Sequence, residues 1–169
     1  MTEKRRRGAC LAAVLAAVAA GAVVTGCGSD EAANYQSQLS SVQAKQATAE
    51  SNEKFATEIV QGDQHLNNVA GAARMAEFDA LAAKMCPGST AAKRLAKLKS
   101  DGKVEGFGYF PAKKTEIVGA WTEKDPNNVM VVATNRFPED SQAKKSTMAI
   151  RVSLGADGGR TCAQDMTRQ

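Results

Sequence analysis

Up to about Ser100 the apolar positions recur with a helical period, and beyond Lys103 they cluster in short β-rich runs. Leu66, Val69, Ala70, Ala73, Phe78, Leu81, Ala82 and Met85 follow an i, i+3, i+4, i+7 pattern. Such spacing puts one apolar stripe on an amphipathic helix, which Pro87-Gly88 then stops. Upstream, Asn34 to Glu58 is rich in Gln, Ser, Ala, Glu and Lys and holds no glycine or proline, so propensity favours helix. Tyr35, Leu39, Val42, Ala49 and Ala56 share a face there, but Gln46 and Glu53 interrupt it. That predicts a mostly solvated stalk with a buried face only near Phe55, Ile59 and Val60, rather than a coiled coil with its unbroken seam. Gly62-Asp63 is expected to end this helix and cap the next. Ser89 or Thr90 caps a third helix, AAKRLAKLKS, that closes at Asp101-Gly102.

Strands are predicted over Val104–Phe110, Thr115–Thr122, Val129–Phe137, Thr147–Leu154 and Arg160–Met166, with turn residues between them. The turns are Pro111–Lys114, Asp125–Asn128, a polar loop from Pro138 to Ser146, and Gly155–Gly159. Helices first and a meander afterwards give an α+β class, with N-terminal helices packed on an antiparallel sheet of four to five strands.

The first residues carry a different signal. Lys4, Arg5, Arg6 and Arg7 precede the apolar run LAAVLAAVAAGAVV, Leu11 to Val24. A basic start and a short apolar core with a small-residue exit make a secretory signal peptide, and the run falls short of the roughly 20 residues a spanning helix needs. At the exit, Val24-Thr25-Gly26-Cys27 resembles the lipobox of bacterial lipoproteins. The resemblance implies cleavage before Cys27 and a lipid on its thiol, hence a membrane partner through the N-terminal lipid. Cys10 has no apolar run before it and leaves with the signal peptide. The expected organisation is therefore a signal peptide over 1–26, an anchor, tether and helical stalk over 27–54, and the α+β domain over 55–169.

Processing alters the charge. The whole chain has 22 basic and 18 acidic residues, but four of the former and one of the latter lie in the signal peptide. The remainder is nearly neutral, which argues against nucleic acid as a partner. Past Cys27 only Cys86 and Cys162 remain. In an exported protein such a pair reads as a disulfide, and a metal site is disfavoured because neither has a cysteine or histidine nearby.

Candidate chemistry is sparse. His65 is the only histidine and sits among polar neighbours near the predicted start of the second helix. Neither a Gly-x-Ser-x-Gly elbow nor a phosphate-binding loop occurs, and Gly106-Phe107-Gly108 reads as a bulge. Glu105, Glu116, Glu123 and Asp125 lie on or beside strands without a spacing that pairs them for acid–base work. The reading is a non-enzyme without catalytic residue, metal or cofactor. Lys93, Arg94 and Lys97 fall opposite Leu95 and Leu98 on the third helix. That is first a solvated face, and functionally a contact for anionic head groups. Phe107, Tyr109, Phe110, Trp121, Met130, Phe137 and Met148 are expected in the core, or alternatively around a pocket for an apolar ligand.

The order of elements resembles the cone-shaped fold of the nuclear-transport-factor-two-like superfamily. From Phe55 onward, TEIVGAWTEKDPNNVMVVATNRF and TMAIRVSLGADGG resemble the exported domains of the mammalian-cell-entry-associated proteins of bacteria. That family often has a tryptophan just after the last glycine turn, where this chain has Arg160-Thr161-Cys162. The resemblance implies a curved, cone-like sheet and a membrane-anchored accessory of an envelope transport or assembly system, and it carries over no catalytic residue. The expected function is a non-catalytic lipoprotein on the extracytoplasmic face of a bacterial membrane, docking an envelope protein partner. The alternatives are a carrier of a lipid or other apolar ligand, and surface exclusion of phage or foreign DNA.

Overall fold

A computed structural model describes residues 29–66, 68–69, 71–101, 112, 114–139 and 144–169. The predicted signal peptide, Cys27 and the strand expected over Val104–Phe110 lie outside the described residues. The chain divides into two compact units, Met1–Lys45 and Gln46–Gln169.

Helix α1 spans Ser29–His65. It begins inside the expected tether, since no glycine or proline interrupts the sequence from Ser29 to Gln61. Within the first unit the described part is helical, and the side chains from Ala33 to Lys45 are exposed. Tyr35, Leu39 and Val42 are among them. In the second unit the buried face of α1 is Ala56, Ile59 and Val60, each fully buried.

The helix does not stop at Gly62-Asp63. Gly62 has no positive φ, and a Cβ there would lie 3.1 Å from Leu81 Cδ1. The glycine serves a close approach to a neighbouring helix rather than a left-handed cap. That neighbour, α2, covers Gly71–Ala82, a shorter span than the stripe suggests. Phe78 and Leu81 are buried, whereas Ala73 and Ala82 face solvent. Helix α3 runs Thr90–Ser100, and Ser89 caps it by accepting a hydrogen bond from Ala92 N at 3.1 Å.

The sheet is an open, somewhat curled antiparallel meander in the order β1-β2-β3-β4. Its strands are β1 Lys114–Thr122, β2 Asn128–Arg136, β3 Lys145–Asp157 and β4 Arg160–Arg168. Among the described residues, three helices on this four-stranded sheet make the α+β fold expected. Register puts Val129 opposite Val152, Val131 opposite Ile150 and Ala133 opposite Met148. Side chains alternate across a strand, so these share the face that packs on the helices. With Ile59, Val60, Phe78, Leu81 and Leu95 they form the core.

Two turns follow from local chemistry. At Asp125–Asn128 the Asp125 carboxylate accepts from Asn127 N (2.9 Å) and Asn128 Nδ2 (3.0 Å). Between β3 and β4 the turn is shorter than Gly155–Gly159. Only Gly158 and Gly159 turn, at φ 57° and 79°, which suits a two-residue hairpin. Gly155, Ala156 and Asp157 instead continue β3 opposite Cys162, Thr161 and Arg160.

Met148 lies in the core as expected, and Met130 is buried on the opposite face of the sheet. Phe137 is half-buried. Trp121 departs from expectation and is 49% exposed. It stands opposite Met130, whereas Ile117 and Ala120 are the β1 residues that pack on the core.

Candidate interaction surfaces and the buried polar chain

Cys86 and Cys162 are joined, with Cα atoms 4.9 Å apart. The bond fixes the segment after α2 against the outer edge of β4. Cys86 N donates to Ala163 O at 2.8 Å, Ala163 N donates to Lys84 O at 2.9 Å, and Met85 forms a parallel bridge with Ala163. The helical layer is thus stapled to the sheet, and an edge that would otherwise present free backbone groups is covered.

A polar chain crosses the interface between α1 and the sheet. Asp63, Gln64 and Asn135 are 4%, 4% and 5% exposed. Gln64 Nε2 donates to Asp63 Oδ2 (3.2 Å), Asn135 Nδ2 donates to Gln64 Oε1 (3.0 Å), and Thr115 Oγ1 donates to Asn135 Oδ1 (2.7 Å). Burial pushes the Asp63 carboxyl above its ordinary range, against the opposing pull of the Arg94 charge. Asp63 and Arg94 border a space of about 10 Å³ with Leu81, Met85, Leu95 and Met166. That volume suits one water molecule and admits no acyl chain.

This geometry separates the three cations read from α3. Lys93 and Lys97 are exposed, but Arg94 is half-buried beside Asp63 and does not join them on one solvent-facing patch. His65 is the last residue of α1 rather than the start of α2, and its Nε2 lies 3.7 Å from Glu77 Oε1 on the surface.

Of the strand carboxylates singled out from the sequence, the three described ones are engaged. Glu116 accepts from Lys114 (2.9 Å) and Arg136 (3.2 Å), which hold its carboxyl below the usual range. Glu123 binds Arg151, with Nη2 donating to Oε1 at 3.0 Å and Nε 2.9 Å from Oε2. Asp125 shapes its turn, and Glu105 lies outside the described residues. Among the described residues no group of three His, Cys, Asp or Glu side chains could hold a metal, and no helix is long and apolar enough to cross a membrane.

A second tie between α1 and the sheet, like the Gln64–Asn135 bond, is not foreseen from the sequence. Glu53 Oε1 accepts from Thr122 N (2.8 Å) and Thr122 Oγ1 (3.1 Å), and Asn52 Nδ2 donates to Pro126 O (3.2 Å). The signal was the break itself, since Glu53 is one of the two polar residues that interrupt the apolar stripe.

The chain matches no protein-family model and no curated protein. A crystal structure of a protein of unknown function from Bacteroides thetaiotaomicron resembles it at 16% identity and a TM-score of 0.46, covering 79% of this chain and 98% of that one.

Proposed function

We propose that this chain is a lipid-anchored, non-catalytic module on the extracytoplasmic face of a bacterial membrane, where it docks an envelope protein partner. The observation that carries the reading is Val24-Thr25-Gly26-Cys27 at the exit of a basic and then apolar leader. Small residues before Cys27 let a peptidase hold the chain extended at the bond to be cut. The Cys86–Cys162 bond supports export, because disulfides persist in oxidising compartments. Engagement of Glu116, Glu123 and Asp125 in ion pairs and a turn supports a docking role over catalysis.

Labelling with an alkyne fatty acid tests the anchor in the full chain. The wild type is expected as a labelled, shortened product, and Cys27→Ser as an unlabelled, full-length precursor. A Cys27→Ser chain that is still labelled and shortened overturns the reading.

A further inference from the structure

We propose that the β1 side of the sheet face opposite the helices, where Lys114, Val118, Trp121 and Arg136 are exposed, rests on an anionic membrane surface. The proposal builds on the lipid-anchored reading, which puts a bilayer within reach. Register sets Lys114 opposite Arg136 and Arg136 opposite Lys145, so three cations form a row across three adjacent strands. Like charges directly opposed destabilise a sheet, and such a row is relieved when an anionic surface lies against it. Glu116 alone answers both Lys114 and Arg136, and neither Lys144 nor Lys145 forms an ion pair among the described residues. The cluster therefore keeps a positive excess.

Apolar side chains share this face. Alternation along β2 places Arg136 on the same side as Met130, and Met130 stands opposite Trp121. Val118 is the unpaired residue of a bulge between Ile117 and Gly119, and it is 66% exposed. Lys114, Val118 and Trp121 thus mark a stripe of roughly 23 Å along one strand. Tryptophan settles at the boundary between head groups and acyl chains, and cations are drawn to an anionic leaflet. Protruding apolar groups on the same face as a cluster of net positive charge fit a bilayer better than an acidic protein surface, which offers charge but no apolar phase. This face outranks α3, because Arg94 is held beside Asp63.

Trp121 is the only tryptophan in the chain, so its fluorescence reports this face directly. The processed full chain is mixed with vesicles of equal parts phosphatidylglycerol and phosphatidylcholine, or of phosphatidylcholine alone, each carrying brominated acyl chains. Trp121 should be quenched by the bromines and shielded from aqueous iodide only with phosphatidylglycerol. K114Q/R136Q/K145Q should remove that quenching, weakening the contact about a hundredfold at roughly fivefold per charge. V118D should weaken it too, and K93Q/K97Q should leave it unchanged. Circular dichroism establishes that each variant is folded.

Trp121 left open to iodide with both vesicles overturns the proposal. Loss of quenching in K93Q/K97Q alone overturns it in favour of α3. If Cys27 proves unacylated, co-sedimentation with the anionic vesicles still reads the face, so the two failures are distinguishable.

Discussion

Removing the Cys86–Cys162 bond should weaken the domain mainly by freeing its unfolded chain. The double change Cys86→Ala/Cys162→Ala avoids crowding two thiols into the space of one bond. The cysteines are 76 residues apart, so loop closure contributes about 4.5 kcal/mol in the chain-entropy description. Folded-state losses are smaller, because the hydrogen bonds of Ala163 with Lys84 and Cys86 do not need the sulfurs. Gln46–Gln169 comprises 124 residues. At about 2.1 cal/mol/K per residue its unfolding entropy is roughly 260 cal/mol/K, and 4.5 kcal/mol then lowers Tm by about 17 °C. Thermal melts followed by far-ultraviolet circular dichroism measure the shift. Urea titration should also give a steeper slope, since an unbridged denatured chain exposes more surface. A fall of less than about 5 °C with an unchanged slope would refute the argument that the stabilisation lies in the unfolded state.

Three further outcomes follow from burial and charge. Ile59→Ala empties a fully buried site and should cost about 2–5 kcal/mol in urea unfolding, whereas Val42→Ala on the exposed part of α1 should stay within about 0.5 kcal/mol. Asp63 has its carboxyl pushed up by burial, so the folded state holds the proton more tightly than the unfolded chain. Its stabilising contribution is complete below about pH 4 and is lost as pH rises through the folded value, so Asp63→Asn should gain on the wild type in Tm as pH climbs from 4 to 7. A gap that is constant across this range contradicts the assignment. Ser89→Ala removes the acceptor for Ala92 N and should lower stability by about 1 kcal/mol, with Ser89→Asp restoring most of it in the same urea assay.

Much of the fold was legible because the hydrophobic period and the turn residues agreed. Pro126 with Asp125 and Asn127, and the Gly158-Gly159 pair, divide the strands where the chain does turn, and Ser89 caps α3 as its hydroxyl and position suggest. Misreadings occur where one residue type serves two physical ends. Gly62 looks like a helix stop, but its missing Cβ instead lets α1 and α2 approach. Asp63 looks like a cap, yet it completes the run Ala56, Ile59, Val60, Asp63 on the buried face of α1. Local pattern assigns acids to solvent, and the adjacent Gln64 together with the tertiary partner Arg94 reverses that preference. Trp121 erred the other way, because size and hydropathy favour a core while strand parity set it on the opposite face. For the site, the cysteine pair was readable from compartment and count. The basic row on the sheet was not, since Lys114, Arg136 and Lys145 meet only through register.

Because each strand pairs with its neighbour in sequence, a chain delivered N-terminus first can add strands one at a time. Cys86 is the exception and must wait for the last strand of the meander before it has a partner. Until β4 arrives, its thiol stays open to exchange with other thiols and disulfides, so maturation ends with one long-range event. A truncation before Cys162 should therefore leave a species detectable by its reactive sulfur rather than by its helices, and an oxidoreductase would act on this protein late, once the sheet is complete.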